Sequence, residues 1–211
     1  MIQHHISDDL LLEYAGGGLD EGISLLVATH LALCARCRGV VADAEALGGL
    51  LLEDAAAEPL GDHAAAAVLA RLDAPPSRAP GPVAGDERLP VPLRRYATAA
   101  SSHGWRLMAP GVRQLVLSTS ARSTARLIRL APGTRVPEHT HSGRELTLVV
   151  TGAYRDAFGT FGRGDVAEHD ENVVHQPTVT EDAECITLAV TDAPLRFRSP
   201  LMRLVQPLLG I

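Results

Sequence analysis

The 211-residue sequence has few cysteines and no long apolar run, and both shortages exclude classes of protein. Three cysteines are too few for the disulfide framework of a small secreted domain, and an odd number that includes a Cys-x-x-Cys pair indicates metal or redox chemistry. No apolar run approaches the roughly 18 residues that a membrane-spanning helix needs. The N-terminus also has no basic segment leading into an apolar stretch. We therefore expect a cytoplasmic protein that has no secretory signal and does not bind a membrane.

Basic residues are scarce in the first third of the chain. All 19 basic residues are Arg, and residues 1–75 hold 3 of them against 12 Asp or Glu, a net charge of −9. The remainder holds 16 Arg and 13 acids, a net charge of +3. An acidic surface repels phosphate, so direct nucleic-acid binding by residues 1–75 is disfavoured. The same field favours a basic protein partner, although a merely solvated acidic surface is the alternative.

Prolines separate two parts of different composition. Six prolines lie from Asp73 to Pro92, where they remove backbone donors and disfavour both helix and central strand, so we predict a semi-rigid linker over 74–95. Residues 1–73 are rich in Ala and Leu at helical spacing, whereas residues 96–211 carry short Val, Leu and Thr runs broken by turn residues. The pattern predicts a two-domain α + β protein with a small helical N-terminal bundle and a β-rich C-terminal domain.

Four short helices are predicted within residues 1–73. Ser7 is expected to cap the first helix and Asp20 the second. A third helix is expected over about 37–54 and a fourth over about 62–72. Because so small a helical core often needs additional stabilisation, a structural metal would be expected here.

The pattern H-x-x-x-C-x-x-C from His30 to Cys37 has the spacing of metal ligands. Residues four apart lie on one face of a helix, so His30 and Cys34 can converge, and the C-x-x-C step returns Cys37 to the same point. Structural Zn²⁺ prefers a closed tetrahedron of imidazole and thiolate, so a fourth ligand is needed, for which His4 and His5 are the nearby candidates. The alternatives are a redox C-x-x-C pair or two buried cysteines.

These residues resemble the zinc-binding anti-sigma domain. The resemblance rests on H-x-S-D-D-L-L-x-x-Y-x-x-G from His5 to Gly17, together with H-L-x-x-C-x-x-C from His30 to Cys37. It implies that His5, rather than His4, completes a Zn²⁺ site with His30, Cys34 and Cys37.

A second set of candidate ligands lies in the β-rich part. His139 and His141 are two apart and so face the same side of a strand, Glu145 can return to that side after a turn, and His175 comes from another strand. Three imidazoles and one carboxylate suit Zn²⁺ or another divalent metal such as Mn, Fe or Ni. A pair of surface histidines is the alternative.

The spacing of these residues and of the glycines around them resembles the two cupin motifs. The resemblance implies a cupin, a double-stranded β-helix or jelly-roll barrel, over 96–211 with a metal site formed by His139, His141, Glu145 and His175. His169 is expected beside this site rather than among its ligands. Cys185 lies in an alternating strand and is expected to be a small buried apolar residue.

The order of helical zinc domain, linker and cupin resembles the ChrR-type anti-sigma factors, and the resemblance extends to T-D-A-P-L-R-F from Thr191 and L-V-Q-P-L from Leu204. It implies that the N-terminal domain binds an extracytoplasmic-function sigma factor one to one and blocks its access to RNA polymerase. It further implies a cupin that is needed for release under singlet oxygen or related oxidative stress. We expect a regulator rather than an enzyme and assign no catalytic residue, while catalysis by the cupin alongside sigma binding stays open. The rival interpretations are a metal-dependent cupin enzyme, dioxygenase-like, and a zinc-redox scaffold for another protein.

Overall fold

The computed structural model describes residues 1–72, 85–117 and 122–197. Helices α1 to α5 are, in order, Asp8–Ala15, Glu21–Leu31, Ala35–Glu53, Ala64–Leu72 and Val91–Ala100, and a short 3₁₀ helix follows at Ser101–His103. Strands β1 to β11 are, in order, Arg106–Ala109, Val112–Val116, Thr124–Leu130, His139–His141, Glu145–Thr151, Ala153–Asp156, Gly159–Gly162, Val166–His169, Thr178–Val179, Cys185–Thr191 and Leu195–Phe197.

The strands form an antiparallel β-sandwich, as expected for a jelly-roll barrel. One sheet has six strands in the order β1-β2-β3-β10-β5-β8. The strands facing it form a three-stranded sheet, β7-β6-β9, and a pair, β11-β4. Every pairing is antiparallel, and non-consecutive strands are neighbours, which is the pattern of a jelly roll.

The central strands of the six-stranded sheet are buried on both faces because helices cover the face that points away from the sandwich interior. In β5, Leu146 and Leu148 belong to a core that includes residues of the helices, whereas Glu145 and Thr147 alternate with them and point into the sandwich. Leu26 of α2, which is fully buried, belongs to that same core. The two predicted parts therefore share one apolar core.

Two helix N-termini show different capping. The Asp20 carboxylate accepts hydrogen bonds from the N–H groups of Gly22 and Ile23 and caps α2, as predicted. Ser7 occupies the N-cap position of α1, but its side chain makes no capping bond, so the predicted cap is wrong. Its hydroxyl and its N–H donate instead to the two carboxylate oxygens of Glu168 on β8 at 3.0 and 2.7 Å. A charged acceptor forms the stronger hydrogen bond.

Helix α5 begins inside the stretch 74–95 that the sequence predicted as linker. Pro92 lies in its first turn, where a missing N–H costs no intrahelical bond, so proline favours a helix start at this position rather than preventing it. Leu93 is completely buried and anchors the helix in the shared core. Residues 73–84 of the Pro-rich stretch lie outside the described residues. The C-terminal segment from Leu204, which resembles the ChrR-type anti-sigma factors, lies outside them as well.

Within the described ranges, no single helix is both long and apolar enough to cross a membrane. The bent pair Glu21–Leu31 and Ala35–Glu53 meets that criterion when the two are taken together, by length and composition alone.

Candidate metal centres

The structure brings together the four predicted ligands of the N-terminal part, His5, His30, Cys34 and Cys37, which we call the thiol cluster. One ligand atom from each lies within 4.8 Å of all the others. His30 Nε2 is 3.2 Å from Cys37 Sγ, and His5 Nδ1 is 3.4 Å from Cys34 Sγ and 3.6 Å from Cys37 Sγ. Four imidazole and thiol donors at this spacing match a closed tetrahedral site and could hold a metal ion.

The local fold explains why His30, Cys34 and Cys37, which are close together in the sequence, converge. His30 lies in the last turn of α2, and Cys34 is the N-cap of α3, where its Sγ accepts the N–H of Cys37 at 3.5 Å. The chain bends by 120° between the two helices, which turns both thiols towards the histidine. Burial raises the pKa of the Cys37 thiol to about 11, and the neighbouring Cys34 adds to the shift. Two thiolates would therefore need a cation between them.

The β-sandwich supports the imidazole of His30. The ring is fully buried, and its Nδ1 lies 2.8 Å from the carbonyl oxygen of Gly164, between β7 and β8. A carbonyl only accepts, so Nδ1–H donates and Nε2 is left with its lone pair towards the thiols. Burial lowers the pKa of His30 even though Gly164 opposes the shift, so the ring is held in the neutral form that binds metals.

The side chains of His4 and His5 contact different residues. The His4 ring packs on Phe161 with centroids 4.2 Å apart, and its Nδ1 lies 3.7 Å from an oxygen of Asp165. Of these two histidines, His5 and not His4 has a ring nitrogen close to the thiols.

Asp165 at the start of β8 fixes the segment that carries His5. Its carboxylate accepts the N–H groups of Gln3 and His4 at 2.6 and 2.9 Å, and the N–H of Val166 donates to the His4 carbonyl at 3.1 Å. Burial would raise the pKa of Asp165, but the N–H groups of His4, Gly162 and Gln3 outweigh it and lower the pKa below its usual range. Sequence reasoning missed this anchor because nothing local in the sequence marks a contact about 160 residues away.

The second predicted set, His139, His141, Glu145 and His175, also comes together, inside the sandwich; we call it the cupin cluster. All four residues are buried, and their ligand atoms lie within 4.8 Å of one another. The Nε2 atom of His175 is 3.0 Å from that of His139 and 3.3 Å from that of His141. An isolated β-bridge between His139 and His175 sets the spacing of their strands.

The charges in the cupin cluster suit a cation. Burial would raise the pKa of Glu145, but His141, whose Nδ1 is 3.2 Å away, and the other two histidines outweigh it and lower the pKa to about 2. Burial lowers the pKa of His175 to about 4, with His139 adding to the shift. At neutral pH Glu145 is thus ionised and His175 is neutral, the forms in which these residue types bind metals.

Cys185 and His169 lie where the sequence indicated, and Asp156 is an addition. Cys185 on β10 is completely buried in the interior of the sandwich. His169 at the end of β8 lies beside the cupin cluster, and its ring centroid is 4.2 Å from that of His175. The addition is Asp156, whose Oδ2 is 3.2 Å from His175 Nδ1 and which no motif indicated.

Comparison with known proteins identifies the family. Over 211 residues the chain is 44% identical to the anti-sigma-E factor ChrR of Cereibacter sphaeroides, covering 100% of this chain and 99% of that protein. The chain belongs to the ChrR family of anti-sigma factors. The family model of the ChrR cupin-like domain matches residues 94–194, which confirms the cupin prediction.

A solved structure agrees with this assignment over both parts. The chain resembles a protein in the crystal structure of Rhodobacter sphaeroides SigE in complex with the anti-sigma ChrR, with a TM-score of 0.81 and 41% identity. The match covers 91% of this chain and 100% of that one. The resemblance to ChrR-type proteins is therefore confirmed for the helices as well as for the cupin.

Proposed function

We propose that this ChrR-family chain is a cytoplasmic, Zn²⁺-dependent anti-sigma factor that binds one extracytoplasmic-function sigma factor and releases it under singlet oxygen or related oxidative stress. The partner is supported by the 44% identity to an anti-sigma-E factor and by the likeness to a chain crystallised with SigE. Because both relatives are named as anti-sigma factors, a regulator is better supported than a cupin enzyme.

Exposed apolar side chains on α3 and α4 carry the proposal, and we call this set of residues the leucine face. Only Cys37 and Val41 of α3 are buried, and α4, all of which the structure describes, has no buried residue. Leucines and a valine that are 58% to 76% exposed make up the face: Leu47, Leu50, Leu51, Leu52, Val68, Leu69 and Leu72. Apolar surface of this extent on helices marks a protein-binding site, and the acidic charge of residues 1–75 suits a basic sigma factor.

The thiol cluster would hold Zn²⁺ through His5, His30, Cys34 and Cys37, which supplies a structural cross-link rather than a reaction. The four residues join the N-terminal segment to α2 and α3, the helix that carries part of the leucine face. A structural zinc site contributes on the order of 10 kcal/mol to folding, so its loss would release the leucine face from its fixed orientation. The thiolates are the groups that oxidants attack first.

Strand β8 offers a physical connection between the cupin cluster and the thiol cluster. Just before it, Gly164 contacts His30, and Asp165 holds the segment before His5. At its end, His169 pairs directly with Glu145 of the cupin cluster, which lies on the neighbouring strand β5. We infer that an oxidant-driven change at the metal bound in the cupin cluster, where Zn²⁺, Mn, Fe or Ni would bind, shifts β8 and so weakens the support of the thiol cluster, whereas loss of the metal alone leaves β8 in place.

The experiment that tests this function measures binding of the full chain to candidate extracytoplasmic-function sigma factors by gel filtration and calorimetry. The wild type is expected to form a one-to-one complex. Leu50→Glu/Leu51→Glu is expected to weaken the affinity at least 100-fold, because two charges would be buried against the partner. Leu107→Glu is the matched control, since Leu107 is equally exposed but lies on β1. An affinity loss in Leu107→Glu as large as that in Leu50→Glu/Leu51→Glu would contradict the proposal. So would the absence of a complex from folded, zinc-loaded wild type.

A further inference from the structure

Asp156, His169 and His175 form a third group of potential metal ligands, beside the cupin cluster. One ligand atom from each lies within 4.8 Å of the other two. Ligands bound to one tetrahedral Zn²⁺ ion at about 2.0–2.2 Å are about 3.3–3.6 Å apart, so the ligand atoms must approach one another by up to about 1.5 Å.

His169 has a buried nitrogen that lacks a partner. The residue is 7% exposed, and its Nδ1 makes no hydrogen bond within residues 1–72, 85–117 and 122–197. Buried polar atoms in folded proteins are nearly always paired with protein, water or an ion. The ring meets His175 edge to face, which places it against the one residue that both groups share.

Asp156 is held in position by its own turn. Its Oδ1 accepts the N–H of Phe158 at 2.8 Å, and its side chain is completely buried. Its Oδ2 is thereby directed to His175 Nδ1, at 3.2 Å. The carboxylate thus needs no rearrangement to face the shared ring.

The two nitrogens of His175 face different groups of ligands. Nε2 lies 3.0 Å from His139 Nε2 and 3.3 Å from His141 Nε2, whereas Nδ1 lies beside Asp156. Asp156 therefore reaches the Nδ1 side of His175, while His169 lies against the same ring and opposite Glu145 on the neighbouring strand.

We propose that Asp156, His169 and His175 form a second cation position, which shares His175 with the cupin cluster. The proposal rests on metal binding by the cupin cluster. Nε2 of His175 would bind one cation and Nδ1 the other, and the Nδ1 proton passes to solvent when both are bound. Two nitrogens and one oxygen suit Zn²⁺ or a similar divalent transition metal.

The second position would stay open to an added ligand because it has three protein ligands. His169 also lines a cleft of about 400 Å³ between α1 and the sandwich, together with Ser7, Glu13, Arg144 and Glu168. Asp156 and His175 line a separate cleft of about 340 Å³, together with Glu138 and Arg155.

An arrangement with a single metal ion in the cupin cluster predicts a different number of bound metal ions. If Asp156 only accepts the Nδ1–H of His175 and orients that ring for a single metal, His169 binds nothing. The number of bound metal ions distinguishes the two arrangements.

The test counts zinc bound to the full chain after saturation with Zn²⁺ and dialysis against a weak chelator. Three zinc ions per chain are expected for wild type: one in the thiol cluster, one in the cupin cluster and one in the second position. His169→Phe, which keeps a ring of similar shape, and Asp156→Asn are each expected to bind two. His63→Phe is the matched control and is expected to keep three, because His63 is exposed and outside all three groups.

Two zinc ions in wild type with no change in His169→Phe would overturn the second position and leave the cupin cluster intact. One zinc ion in wild type, lost in Cys34→Ser/Cys37→Ser, would overturn metal binding by the cupin cluster as well. Anomalous scattering at the zinc edge from wild-type crystals tests the proposal without any variant. Two peaks on either side of the His175 ring are expected, and a single peak would contradict it.

Discussion

The thiol cluster and the cupin cluster are assembled in different ways. Three of the four ligands of the thiol cluster come from the eight residues 30–37, and one short bend between two helices brings them together. The cupin cluster draws its ligands from residues 139–175, and they meet only because separate strands pack into a sandwich. The first site therefore depends on local geometry and the second on the complete fold.

The two clusters also differ in their donors and their surroundings. Thiols and imidazoles form the first cluster, which lies where the helices meet the sandwich and takes support from Gly164 and Asp165. Imidazoles and a carboxylate form the second, which is buried inside the sandwich. Only the first cluster contains oxidisable thiols, and it lies on the helix that leads to the leucine face. The difference fits the proposed division of roles, in which the thiol cluster supports partner binding and the cupin cluster recognises a ligand or signal.

The largest effect is expected from removing the thiols. Cys34→Ser/Cys37→Ser should lose one zinc ion per chain and at least 100-fold in sigma affinity, because a structural zinc site supplies on the order of 10 kcal/mol to folding. Zinc counting, thermal unfolding and calorimetry with the sigma factor measure these effects. A variant that lost zinc but kept wild-type affinity would show that the leucine face needs no metal.

Substitutions in the cupin cluster should separate signal from binding. Glu145→Ala or His141→Ala should remove the cupin metal, leave sigma affinity within about threefold, and slow oxidant-driven release at least tenfold. Each variant deletes a ligand inside the sandwich and touches neither the thiols nor the leucine face. The release rate is followed by loss of the complex after exposure to singlet oxygen. Loss of sigma binding in these variants would contradict the division between the two clusters.

How much the sequence predicted depends on how local each feature is. The trio from His30 to Cys37 and the pair His139 and His141 could be read from spacing, because helix and strand periodicities fix which side chains share a face. The resemblance to known families selected His5, and it also indicated the cupin fold that the structure confirms.

Long-range contacts escaped prediction. No residue near Ser7 predicts that its hydroxyl donates to Glu168, and nothing near Asp165 indicates that it binds the N-terminal segment. The helix at Val91–Ala100 differs from the predicted linker for another reason: proline disfavours a helix interior but is favourable in a first turn, where Pro92 lies. The core shared by α2 and the six-stranded sheet likewise depends on packing that no local pattern encodes.

A moderate effect is expected from the anchor between the two regions. Asp165→Asn keeps one acceptor but loses the charge that receives the N–H groups of Gln3 and His4, so we expect about 2 kcal/mol of lost stability and weaker zinc retention. Chemical unfolding and the rate of zinc transfer to a chelator measure both. Asp170→Asn is the control, because Asp170 is exposed and accepts hydrogen bonds only from its own turn.

The stability lost in Asp165→Asn should depend on pH in one direction only. The pKa of Asp165 is lowered in the folded state, so its contribution is complete above the ordinary carboxyl pKa of about 3.9 and is lost as the pH falls through the lower folded value. The difference in unfolding free energy between wild type and Asp165→Asn should therefore be constant near neutral pH and shrink below about pH 4. A difference that grew on acidification would contradict the anchoring role.

The smallest effect is expected from the third cysteine. Burial raises the pKa of Cys185 to about 12, so the group stays a thiol, and a protonated, inaccessible thiol reacts poorly with oxidants. Cys185→Ala should cost about 1 kcal/mol of stability for the lost packing and leave sigma affinity, zinc content and oxidant-driven release unchanged. Release assays on Cys185→Ala beside wild type measure this. A slower release would place an oxidisable group inside the sandwich and move the sensing thiol from the thiol cluster to the neighbourhood of the cupin cluster.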